Sequence, residues 1–208
     1  MNTRERIIES AARLFHERGF AATGVATILR EAGVNSGSLY YFFSSKVELL
    51  KCVLQWYQEN LYARIMQPIE AMEPDPLQRV LCLMNWYRDY LVDNHCRLGC
   101  PVGNLALEIS DSHPELREYL AGNFDQWTRI IESWLIESGD QLPAGIDRHE
   151  LARFVLTVME GGVMQARATG DPQPYMDSIL HLEHYLNLLS GEVQFAQYES
   201  QPAVARSA

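Results

Sequence analysis

No stretch of this 208-residue chain alternates apolar and polar residues with period two for long enough to build a sheet, and no internal repeat is visible. No apolar run approaches the length a membrane-crossing helix needs, and the N-terminus, Met1-Asn2-Thr3-Arg4-Glu5-Arg6, has no signal-peptide apolar core behind it. There are only four cysteines, at 52, 82, 96 and 100, and they form no recognisable disulfide framework, so a reducing cytoplasm is the expected setting. Catalytic signatures are missing too. There is no phosphate-cradling glycine loop, no G-x-S-x-G elbow and no H-E-x-x-H, so neither an enzyme nor a bound cofactor is expected.

What remains is helix. Hydrophobic residues make up 47% of the chain, enough for a real core. The net charge of -10 argues against a protein that coats nucleic acid, but the charge is unevenly placed. Residues 1–51 carry seven Lys/Arg against five Glu, a balance of +2, and the rest of the chain carries -12. A mildly basic end on an acidic body orients a molecule toward a polyanion.

The most informative stretch is Ala32 to Lys46. Gly33 stops one helix, Asn35 can cap the next, and Ser45-Lys46-Val47-Glu48 is a capping box that starts a third. Between them lies a short helix with Leu39 facing inward and Ser36, Ser38, Tyr40 and Tyr41 free to face outward. That suits the second helix of a helix-turn-helix. Upstream, Ile7, Ile8, Ala11, Ala12, Leu14 and Phe15 recur at helical spacing. Asn2 to Glu5 can cap that helix and Gly19 ends it. Thr23 can cap a second helix carrying Val25, Ile28, Leu29 and Ala32.

Gly19-Phe20, Thr23, Ile28, Ala32-Gly33-Val34, Gly37, Leu39-Tyr40-Tyr41, Phe43, Ser45-Lys46 and Leu49-Leu50 together resemble the N-terminal domain of TetR/AcrR-type transcriptional regulators. The chain departs from that family's usual pattern at Ser36, Phe42 and Ser44, where Lys, His and Pro often stand. The resemblance implies an all-α fold of nine helices. A helix-turn-helix head occupies residues 1–50 and an effector-binding and dimerisation body residues 51–190. The tail, 191–208, lacks periodicity and is expected to be disordered. The resemblance further implies that Thr23, Ser36, Gly37, Ser38, Tyr40, Tyr41 and Lys46 touch double-stranded operator DNA. Thr23 and Lys46 would hold phosphates near helix N-termini.

The body gives coarser expectations. A long helix should run from Ser45 to about Pro68, with Leu50, Leu54, Tyr57, Leu61 and Ile65 on one stripe. A second, from about Asp75 to Asn94, is apolar on two faces and so lies between layers. His95 to Gly103 looks like a loop, with a short helix over 104–110. Ser112-His113-Pro114-Glu115 and Asp147-Arg148-His149-Glu150 look like capping boxes launching two longer helices, and a last helix carries Ile179, Leu182, Leu186 and Leu189. The aromatic residues suggest an apolar pocket for a small-molecule effector, with Trp86, Tyr90, Phe124, Trp127 and Glu160 as candidate lining. The last two helices are amphipathic, and the resemblance implies a homodimer through them. Phe154, Val158, Gly161, Gly162, Leu182 and Leu186 are the candidate seam, since a glycine inside a helix costs about 1 kcal/mol unless close packing compensates.

Cys100 begins Gly99-Cys100-Pro101-Val102-Gly103-Asn104, which resembles a segment in a TetR subgroup that contains regulators responsive to electrophiles. With His95 and Arg97 nearby to favour the thiolate, it is a candidate thiol sensor. A zinc site from His95, Cys96, Cys100 and His113 lacks the usual ligand spacing, and no metal is expected. The reading that follows is a dimeric DNA-binding regulator, a repressor released by a small-molecule or thiol-reactive effector. The alternative is a helical ligand-binding or interaction module without DNA binding.

Overall fold

The computed structural model describes residues 2–35 and 38–191, and for Ser38 the backbone only. Ten α-helical segments follow one another: α1 Thr3–Arg18, α2 Val25–Glu31, α3 Ser38–Phe42, α4 Lys46–Leu61, α5 Gln67–Met72, α6 Pro76–Asp93, α7 Pro101–Ile109, α8 Arg117–Glu137, α9 Arg148–Thr169 and α10 Gln173–Ser190. A π-helical turn, Tyr62–Met66, joins α4 to α5 without a break. The described residues therefore make nine separate helical rods, and no strand occurs among them. The expected tail lies almost wholly outside the described residues.

The helix ends follow local chemistry. Asn2 and Glu5 form both halves of a capping box on α1, with Glu5 N–H donating to Asn2 Oδ1 at 3.0 Å and Asn2 N–H to Glu5 Oε2 at 2.9 Å. Ser45 Oγ accepts from Glu48 N–H at the start of α4, and Asp147 Oδ1 from Glu150 N–H at the start of α9. Gly19, at φ +84°, ends α1 in a backbone that side-chain-bearing residues avoid.

Four expectations need correction. The helix from Ser45 does not stop near Pro68. Proline removes one i→i−4 hydrogen bond and crowds the carbonyl four residues back. The wider π-turn just ahead of it accommodates both effects, and the rod continues to Met72. Thr23 does not cap α2. Gly24 holds that position, and the Thr23 hydroxyl turns inward to donate to Gly19 O at 2.7 Å. The short helix begins at Pro101 rather than 104, because proline's fixed φ suits the first helical position. Ser112 forms no capping box. Its hydroxyl donates back to Ile109 O, and a 3₁₀ turn at Pro114–Leu116 precedes α8.

One continuous apolar core runs from Ile7, Phe15, Ile28, Leu39 and Leu49 in the head through Leu54, Leu83, Trp134 and Met159 to Tyr175 and Leu186 in the body. α1 packs on α2 and α4, α8 packs between α4 and α9, and α10 lies along α9. α7 bridges the two parts, touching α1 on one side and α8 on the other.

Candidate nucleic-acid interface and effector cavities

The five residues of α3 are divided between core and solvent. Leu39 is fully buried and Phe43, just beyond the helix, nearly so, while Tyr40 and Tyr41 are 71% and 83% exposed. The Tyr41 ring rests edge-on against Phe42, with centroids 4.8 Å apart, and its hydroxyl end is open to solvent. Two large aromatic side chains held out beside a glycine-ended turn form a surface that can enter a groove. Ser36 and Gly37 lie outside the described residues, as does the Ser38 side chain. Two other expected phosphate contacts turn inward. Thr23 is buried, with its hydroxyl bonded within the α1–α2 connection. The Lys46 ammonium donates to Phe20 O and sits over the Phe20 ring, 4.1 Å from the centroid. Burial lowers its pKa. Thr23 holds the α1–α2 connection in place, and Lys46 commits one of its three ammonium donors to it.

Polar contacts join head to body. Glu108, near the C-terminal end of α7, accepts from the Phe20 and Ala21 amides at 2.8 and 2.7 Å. The Tyr57 hydroxyl, from α4, donates to Ala12 O at 2.9 Å. His16 Nε2 lies 2.9 Å from Gly99 O, which assigns the ring proton to that nitrogen. Burial is the main cause of a lowered His16 pKa, so the neutral ring is favoured.

Of the cavities around this joint, two reach Cys100. The smaller, about 180 Å³, is lined by His16, Trp56, Tyr57, Trp86, Tyr90 and Trp127, among others. Trp86 and Tyr90 stack 5.7 Å apart at 3°, and His16 continues the stack 6.4 Å beyond Tyr90. The larger is an open cleft of about 780 Å³ between α7, α8 and α9, lined by Leu107, Phe124, Glu160 and Met164 among others. The five expected effector residues are therefore split. Trp86, Tyr90 and Trp127 face one space, and Phe124 and Glu160 the other. His16, Trp56 and Arg64 were not expected. Tyr57 was expected only as a member of an apolar stripe, and Tyr87 was among the aromatics that suggested a pocket.

Cys100 lines both cavities and is buried. Its sulfur is the N-cap acceptor of α7, taking a hydrogen bond from Gly103 N–H at 3.3 Å. The expected thiolate-favouring surroundings are absent. His95 and Arg97 are exposed, and the charged neighbour of the sulfur is the Glu160 carboxyl. Burial, reinforced by Glu160, pushes the Cys100 thiol well above its ordinary pKa.

The expected dimer seam is also divided. Phe154 on α9 is 46% exposed and meets Tyr185 of α10 edge-on at 5.6 Å. Val158 is half-buried, and nothing stands over Gly161. Gly162, Leu182 and Leu186 instead belong to the core of the protomer itself. A Cβ on Gly162 would lie 2.9 Å from Tyr175 Cδ2 and 3.2 Å from Tyr175 Cα, so this glycine lets α10 of the same chain approach α9.

Residues 7–53 match the family described as bacterial regulatory proteins, tetR family. Residues 76–182 match tetracyclin repressor-like, C-terminal domain. The chain belongs to the TetR family. The uncharacterized HTH-type transcriptional regulator YxaF of Bacillus subtilis is 27% identical over 175 residues, 84% of this chain and 90% of that protein. The HTH-type transcriptional repressor DhaR of a Mycobacterium species is 25% identical over 173 residues, 82% of this chain and 85% of DhaR. Among solved structures, a TetR transcriptional regulator from Chloroflexus aurantiacus superposes with a TM-score of 0.77 at 28% identity, covering 89% of this chain and 94% of that one. This TetR-family protein is thus a DNA-binding transcriptional regulator with a helix-turn-helix head and a ligand-responsive helical C-terminal domain. Among its described residues, no helix is long and apolar enough to cross a membrane.

Proposed function

We propose that the protein is a homodimeric, non-enzymatic repressor acting in the cytoplasm, and that its operator affinity falls when a small molecule fills the aromatic cavity. One observation carries this reading: two side chains of the cavity wall, His16 and Tyr57, also make hydrogen bonds between head and body. A ligand that displaces either ring alters the seat of α1, and with it the direction in which Tyr40 and Tyr41 are presented. The ligand shifts the equilibrium by the difference in its affinity for the two arrangements. The relative DhaR is named a repressor, which supports the direction of control. The exposed apolar residues Phe154, Tyr185 and Leu188 on α9 and α10 support association of two copies through those helices.

A second reading concerns Cys100. Its sulfur forms part of the wall of both cavities, so an adduct there would occupy the space a ligand would fill. The buried, protonated thiol makes such a reaction slow.

The test combines a gel shift on DNA upstream of the protein's own gene with tryptophan fluorescence, across a panel of small aromatic compounds. Compounds that quench Trp86 and Trp127 saturably should also release the DNA. Quenching without release would sink the effector reading. Failure to shift any DNA would favour a binding module that does not read DNA.

A further inference from the structure

We propose that the large cleft between α7, α8 and α9 binds an organic cation, an amine or quaternary ammonium on an apolar body, with Glu160 as its counter-charge. The proposal goes beyond the effector reading by assigning a second ligand space and the class of ligand it takes. Glu160 projects from the middle of α9 toward the floor of the cleft. Its Oε2 lies 2.6 Å from where a Cβ on Gly103 would stand, so only glycine at 103 admits the carboxyl against the α7 backbone. The Cys100 thiol is the polar group beside it. Among the described residues, no Lys, Arg or His forms an ion pair with Glu160.

A carboxylate withdrawn from water without a cation is costly, and it either keeps its proton or receives a positive partner. Burial accordingly raises the pKa of Glu160. The other charged groups of the cleft do not supply that partner. Arg153 and Arg167 sit seven residues to either side on the same stripe of α9, roughly 10 Å away along the axis, and both are exposed. Asp125, from the α8 wall, adds a second negative charge. Leu107, Leu156, Val163 and Met164 make the walls apolar, and Phe124 offers an aromatic ring to a cation. At about 780 Å³ the cleft has room for a drug-sized body, which the aromatic cavity lacks.

The test is calorimetric titration of the whole protein, without DNA, by three probes of similar shape: benzyltrimethylammonium, neutral neopentylbenzene and anionic 3-phenylpropanoate. The cation should bind saturably, and at least tenfold more tightly than either of the others. Glu160→Gln should weaken cation binding at least tenfold. Gly103→Ala should do the same by displacing the carboxyl, and it serves as the second variant if Glu160→Gln melts early. Equal binding of cation and neutral probe, unchanged cation binding in both variants, or preference for the anion would overturn the proposal. Cation binding that leaves a gel shift unaltered would keep this site as one not coupled to DNA, and the aromatic-cavity reading would stand or fall on its own test. Release of DNA by neutral aromatics, with no cation binding in calorimetry, would keep the effector reading and overturn this site.

Discussion

The Glu108 carboxylate, near the last turn of α7, holds the Phe20 amide at 2.8 Å and its neighbour Ala21 at 2.7 Å. The first turn of the same helix hangs from Cys100, on the wall of both cavities. One nine-residue helix, roughly 13 Å long, thus joins the ligand spaces to the DNA head. Glu108→Ala should remove two charge-assisted hydrogen bonds and lower stability by about 1–2 kcal/mol. More informatively, it should blunt effector-induced release of DNA while leaving ligand affinity nearly unchanged. A variant that releases operator as readily as wild type would show that α7 is not the connection.

Tyr41→Ala removes a side chain that contributes almost nothing to the core, so helix content and melting temperature should hold. Operator affinity at matched salt should fall several-fold. Filter binding at two salt concentrations measures both the loss and the salt slope, and an unaltered affinity would place the DNA contact elsewhere on the head.

The adjacent glycines of α9 should behave oppositely. Gly161 has open space around its would-be Cβ, so Gly161→Ala should gain the helix propensity difference, about 1 kcal/mol, and raise the melting temperature by about 2–4 °C. Gly162→Ala should destabilise by about 1–3 kcal/mol because Tyr175 stands in the way. A lowered melting temperature for Gly161→Ala would mean that another helix, such as one from a second copy, already covers it.

High pH should loosen the body. Burial raises the pKa of Tyr57, Tyr87 and Tyr175, pushes Tyr90 up to about 12, and raises Cys100 well above its ordinary range. The folded chain then keeps protons that the unfolded chain releases. Stability is complete below the unfolded values, about 8.5 for Cys and about 10 for Tyr, and is lost as pH climbs through and beyond them. Melting temperatures from pH 8 to 11 should fall progressively, and a flat profile would contradict the buried placement of these groups.

Much of the fold was legible because helix ends are written in neighbouring residues. Asn2, Ser45 and Asp147 each announce a cap that the structure forms, and the stripe from Ile7 to Phe15 is the buried face of α1. The failures have physical causes. Pro101 looked like a loop residue because proline suits a loop and the first turn of a helix equally. Thr23 satisfies its hydroxyl with a carbonyl four residues back, a choice its spacing does not reveal. Leu182 and Leu186 lie on an amphipathic stripe, but periodicity cannot say whether the partner is the same chain or another. The Glu108 contact spans 88 residues, and the cleft draws on three helices and the aromatic cavity on still more, so neither had a local signature.

The π-turn at Tyr62–Met66 has a consequence for how this gene tolerates length changes. At about 100° per residue, an uninterrupted helix would carry Met66 about 150° and Ile69 about 90° away from the stripe of Leu50, Leu54, Tyr57 and Leu61. Both are buried. The extra residue in the wide turn cancels most of that drift and returns the two side chains to the inward face. Deleting one codon between Tyr62 and Met66 would restore regular helical bonding locally and turn every downstream residue of the rod to the wrong side. At this point of the chain, a more ideal backbone would make a worse protein.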